Sequence, residues 1–143
     1  MIVKFSLLRR SHIPDDRPRF LVAYNHGVIQ LMRHENDSNP VIIKIPNMII
    51  SKARWSSDGS MLAICGLQTD LEDEKCMIHF ITAYGEPLRN LLIPGQTITD
   101  ISWEGDGLRL CAAVDSHLFF ANIRLDYKVK KRKNIYYKLF QLN

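Results

Sequence analysis

Long uncharged apolar runs are missing from this 143-residue chain, which argues against a membrane span. Cysteine is scarce. Cys65, Cys76 and Cys111 are odd in number and form no close pair. A disulfide framework or a zinc site needs paired spacing, so these are expected to be packed thiols in a reducing compartment. No secretory leader is expected: Lys4 interrupts the apolar start and Arg9-Arg10 ends it, the reverse of a leader's order. Sustained helical periodicity is absent. So is any catalytic constellation. His12, His26, His34, His79 and His117 are scattered, with no acid or nucleophile spaced to orient them. The expectation is therefore no enzyme, no cofactor, no metal and no small-molecule substrate. His79 lies mid-strand beside Phe80 and reads as a packed or half-exposed strand histidine.

An even charge balance is lacking too. Residues 124–143 hold seven Lys or Arg and one acid, whereas the other 123 residues carry a net charge of −2. The overall +4 therefore describes a tail, and the body offers no electrostatic case for nucleic acid. Asp70, Glu72, Asp73 and Glu74 crowd together but lack the glycine and distal glutamate of a calcium loop. They read as a solvated hairpin tip.

What is present is a repeat. Residues 50–62 and 98–110 are copies at an offset of 48, centred on Ala-Arg-Trp55-Ser-Ser-Asp58-Gly59 and Ile-Ser-Trp103-Glu-Gly-Asp106-Gly107. The chain's two tryptophans fall in register, as do Ile45-Pro46 and Ile93-Pro94. Short apolar runs separated by turn residues fill the space between. A period in the forties built this way marks propeller blades. The fold class is therefore all-β: a partial WD-repeat β-propeller of about two and a half blades, each a four-stranded antiparallel meander. The first blade shows no obvious opening strand and the third no closing strand. Residues 20–32 match 110–122 without gaps at an offset of 90. Trp55 and Trp103 end the opening strands and are expected to pack blade on blade, since large aromatics bury much area. Asp58-Gly59 and Asp106-Gly107 are turn chemistry, with glycine at positive φ. Because such a stack cannot close, both outer faces should expose apolar surface, and self-association is expected.

Three stretches carry a family resemblance: residues 29–41, residues 102–108, and residues 113–124 ending in Phe119-Phe-Ala-Asn-Ile-Arg124. They resemble the WD-repeat subunits of intraflagellar transport complex A, over roughly residues 17–128. The resemblance implies a fragment covering the later blades of a first propeller. By that implication the chain is a protein–protein interaction scaffold in retrograde ciliary transport and cilium assembly. Its partners would be other complex A subunits, and its location the cytoplasm and the cilium, at axoneme and basal body. The division that follows is 1–16 outside the repeats, 17–126 partial blades, and 127–143 a basic disordered tail. The tail residues Lys128, Lys130, Lys131, Arg132 and Lys133 supply the alternative, a small basic-tailed module for nucleic acid or anionic membrane.

Overall fold

The structure is a computed structural model that describes residues 1–7, 16–70, 72–105, 107–124 and 138–142. Among the described residues there are strands and turns but no helix. The strands are β1 (Ile2–Leu7), β2 (Phe20–Tyr24), β3 (Val28–Met32), β4 (Val41–Lys44), β5 (Met48–Trp55) and β6 (Met61–Gln68). They continue as β7 (Lys75–Thr82), β8 (Pro87–Ile93), β9 (Ile98–Trp103), β10 (Arg109–Val114), β11 (His117–Arg124) and β12 (Lys138–Leu142). All pair antiparallel in three four-stranded sheets, β1 to β4, β5 to β8 and β9 to β12. The sheets stack in chain order, and β5 lies beside both β1 and β9.

Two expectations are corrected here. The first blade has its opening strand: β1 pairs with β2 in the register Phe5↔Val22 and Leu7↔Phe20. Lys4 and Ser6 between Val3, Phe5 and Leu7 give the period-two alternation of a strand. The third blade has its closing strand as well. Lys138–Leu142 pairs with β11, Leu139 opposite Ile123, so the expected disorder of 127–143 fails over these residues. The basic run hid it by separating it from the repeats. The stack therefore comprises three four-stranded blades, where two and a half were expected.

A third correction concerns the offset of 90. Phe20 pairs with Met32, but Leu110 pairs with Ala121, one residue short of the gapless match. The β2–β3 hairpin turns through Asn25, His26 and Gly27, whereas the β10–β11 hairpin turns through Asp115 and Ser116 alone. One residue moves a strand's side chains to the opposite face. Ile29 and Leu31 accordingly join Leu21 and Ala23 toward the blade that follows. Ala121, the offset partner of Leu31, instead joins Leu110 and Ala112 toward the blade that precedes.

Among the described residues the apolar core is two clusters, one in each gap between blades. Leu21, Ala23, Ile29 and Leu31 of the first blade meet Ile50, Ala53, Trp55, Leu62, Ile64 and Ile81 of the second. Ala63, Cys65, Cys76, Ile78 and Phe80, on the second blade's other face, meet Ile98, Ile101, Leu110, Ala112 and Val114 of the third. Alternation along β6 sends Leu62 and Ile64 one way and Ala63 and Cys65 the other, and all four are fully buried. The middle blade is thus covered on both faces.

Candidate interaction surfaces

The repeated block builds the same local structure twice. In the β5–β6 turn the Ser56 N–H donates to the Met61 carbonyl and the Gly59 N–H to the Ser56 carbonyl, at 2.8 and 3.0 Å. Forty-eight residues on, the Glu104 N–H donates to Arg109 and the Gly107 N–H to Glu104, at 2.8 and 2.9 Å. Gly59 and Gly107 hold φ of 71° and 70°, the left-handed region that a side chain resists. Asp58 organises its turn by accepting from the Ser56 hydroxyl and from the N–H and hydroxyl of Ser60. Partial burial works to raise its pKa, but these hydrogen bonds outweigh it and hold the carboxyl below the usual range. Asp106 lies outside the described residues.

Trp55 is buried in the cluster between the first two blades, and no partner meets its Nε1–H. Trp103 is half-buried against the second cluster. Its ring stands edge-on to Phe80, centroids 6.0 Å apart, and its Nε1–H donates to the Arg54 carbonyl at 3.2 Å. Two polar bridges join the same blades: Arg54 Nη2 to Asp100 at 3.0 Å, and the Ser57 hydroxyl to the Glu104 carbonyl at 2.8 Å. The Arg54 guanidinium holds Asp100 below the usual carboxylate range.

A second repeated device escaped the sequence reading. The opening strands β5 and β9 each carry a bulge, skipping Ser51 between Ile50 and Lys52, and Thr99 near the start of β9. In both, the extra residue is a hydroxyl that donates to the opposing strand, Ser51 to the Cys65 carbonyl and Thr99 to the Ala113 carbonyl, each at 3.2 Å. A bulge leaves one residue unpaired, and its hydroxyl restores a hydrogen bond there. Ser51 and Thr99 stand 48 residues apart, so the signal was in the repeat.

The other sequence candidates are placed as follows. Arg33 and Asp37, within residues 29–41, form a two-pronged pair at 2.6 and 2.9 Å. Asp37 also accepts from the N–H groups of Arg33 and Asn39, and these bonds hold it well below the carboxylate range. That stretch thus encodes a self-organised β3–β4 loop. Asp70, Glu72, Asp73 and Glu74 are exposed, with Asp70 accepting from Gln68 and Asp73 facing Lys75 at 3.4 Å. All three cysteines are free, and burial pushes the Cys65 thiol up to about 11, which leaves it unreactive at neutral pH. His79 is half-buried, and its buried Nε2 lacks a partner. Lys128, Lys130, Lys131, Arg132 and Lys133 lie outside the described residues.

The outward face of the third blade contrasts with these covered interfaces. It carries Cys111 and Ala113 on β10, with Phe120 and Leu118 opposite them on β11. Phe120 is 39% exposed and Leu118 63%. Such a face suits protein contact.

A family model described as WDR35/TULP4 N-terminal matches residues 2–124, β1 included. The chain belongs to that β-propeller family. It is similar to WD repeat-containing protein 35 of Homo sapiens, 42% identical over 120 residues, and to that of Mus musculus, 41% identical. Each match covers 82% of this chain and 10% of the relative, so the chain spans about a tenth of the curated relatives it matches. Among solved structures it resembles a candidate 6-phosphogluconolactonase from Bacteroides fragilis, with a TM-score of 0.53 and 14% identity. That match covers 87% of this chain and 38% of the other, and concerns the fold alone.

Proposed function

We propose that the chain is a non-catalytic protein–protein interaction scaffold, a component of intraflagellar transport complex A that serves retrograde ciliary transport and cilium assembly. The observation that carries this reading is the 41–42% identity to WD repeat-containing protein 35 over 120 residues, within a family match that runs nearly end to end of the blades. The geometry supports it in kind. Strands and turns present faces and rims, and the ordered polar groups near them are spent on holding turns and bridging blades. In this reading Trp55, Asp58, Gly59, Trp103, Asp106 and Gly107 serve the architecture, and partners meet the blade faces and loops. The chain works in the cytoplasm and at the axoneme and basal body, with the other subunits of the complex as partners.

Affinity capture of the tagged 143-residue chain from ciliated cells tests this. Enrichment of other complex A subunits is expected, together with a tagged signal at the basal body. Equal recovery of those subunits with an unrelated propeller fragment would overturn the proposal.

A further inference from the structure

The β6–β7 hairpin of the middle blade ends in a loop of six residues, 69–74, where the β2–β3 hairpin turns through three and the β10–β11 hairpin through two. Hairpin loops commonly take about two to five residues, so this one is longer than joining two strands requires. Thr69, at its base, is exposed. Asp70, Glu72, Asp73 and Glu74 come after it, so four of the next five residues are acids. No other serine or threonine in the chain is followed by more than two acids over the same span. Among the described residues no group of three or more acids, histidines or cysteines is placed to hold a metal ion. What the carboxylates surround is a hydroxyl.

That hydroxyl is held without being enclosed. Thr69 Oγ1 donates to the Asn47 carbonyl at 3.0 Å, and the Thr69 N–H donates to the same carbonyl at 2.8 Å. Asn47, at a φ of 53°, lies in the link between the first and second blades. Beside it the Gln68 amide donates to the Pro46 carbonyl and to Asp70, at 3.0 and 2.8 Å. Rotation of the Thr69 side chain frees its oxygen, while the backbone N–H bond keeps the strand end in place.

We infer that Thr69 is a phosphate acceptor for a kinase whose basic substrate groove reads the acids that follow it. Opposite charge speeds such an encounter and fixes its register. The Thr69 oxygen attacks the γ-phosphorus of ATP. The new O–P bond forms as the bond to the β–γ bridging oxygen breaks, ADP leaves, and the hydroxyl proton passes to the kinase's catalytic carboxylate. The product carries a charge of about −1.5 to −2 beside four carboxylates, and it has no hydroxyl left to donate to Asn47. Like-charge repulsion then drives Thr69 off the Asn47 carbonyl and loosens the loop from the link between blades. The inference stands whether or not the chain works in cilia.

The test incubates the folded 143-residue chain with ATP, Mg²⁺ and casein kinase 2 as the acid-directed probe, and locates phosphate by fragmentation mass spectrometry. A single phosphate on Thr69 is expected. Thr69→Val should abolish incorporation and Thr69→Ser should keep it, which separates loss of the acceptor from loss of the fold. Glu72→Gln combined with Glu74→Gln, at two exposed positions, should slow the initial rate about tenfold or more. In the phosphorylated chain the Thr69 amide should exchange about fivefold faster or more. Phosphate absent from Thr69, or incorporated there only after denaturation, would overturn the inference. So would an unchanged rate in the doubly neutralised variant. Unaltered exchange at the Thr69 amide would overturn the loosening of the loop.

Discussion

Trp55 and Trp103 occupy the same repeat position and live in different interfaces. Trp55 is the more buried, and its indole N–H finds no acceptor. Trp103 is half-exposed, yet its N–H is bonded and two further polar bridges stand beside it. The first interface combines apolar burial with a backbone hydrogen bond from the Ile50 N–H to the Asn25 carbonyl at 2.9 Å, and the second adds side-chain contacts between opening strands and turns. Repetition conserves the place of a side chain, while its partners depend on the neighbouring blade. The middle blade is the element both interfaces share.

The largest expected effect comes from emptying the second interface. Phe80→Ala removes a fully buried ring from its centre and should cost about 3–5 kcal/mol, read by denaturant unfolding. Next is the indole comparison. Trp103→Phe forfeits a hydrogen bond and should cost about 1 kcal/mol beyond the lost area. Trp55→Phe removes a donor that was already unpaired, so its loss should come from area alone. A larger polar penalty at Trp55 than at Trp103, read as melting midpoints of the two variants, would reverse the comparison.

Acid should weaken the first interface before the second. His79 sits opposite Ile64, on the face turned toward the first blade. Burial lowers its pKa, and the hydrogen bond with Asn90 offsets only part of that. The folded state therefore favours the neutral ring. This contribution is fully present above the unfolded value of about 6.5 and is lost as pH falls below it toward the lower folded value. Melts at pH 7.5 and 5.5 should separate, and His79→Gln should shrink the difference. The smallest effect belongs to the exposed pair. Asp100→Asn should cost no more than about 1 kcal/mol, and less in high salt.

Much of this was legible in the sequence. The doubled Trp…Asp-Gly block marked two opening strands and their turns, because glycine at positive φ and a strand-ending aromatic leave residue-level traces. Other features left weaker traces. β1 was masked by Lys4 and by Arg9-Arg10, and β12 by the basic run before it. The reversed face of β3 follows from one extra hairpin residue, which a gapless match at an offset of 90 cannot show. Ser51 and Thr99 were in register in the repeat, but a hydroxyl in a strand carries meaning only once the bulge is known. The pairing of Arg54 with Asp100 required the blades to be stacked, since 46 residues separate them.

The central claim is that a middle blade, covered on both faces, holds two outer blades through two apolar interfaces. Amide hydrogen exchange resolved along the chain tests it most directly. Residues 61–68 and 75–82 should exchange slowest, with β2 and β10 intermediate and β4 and β8 fastest among the strands that follow them. Exchange in β6 and β7 as fast as in β4 would contradict the account.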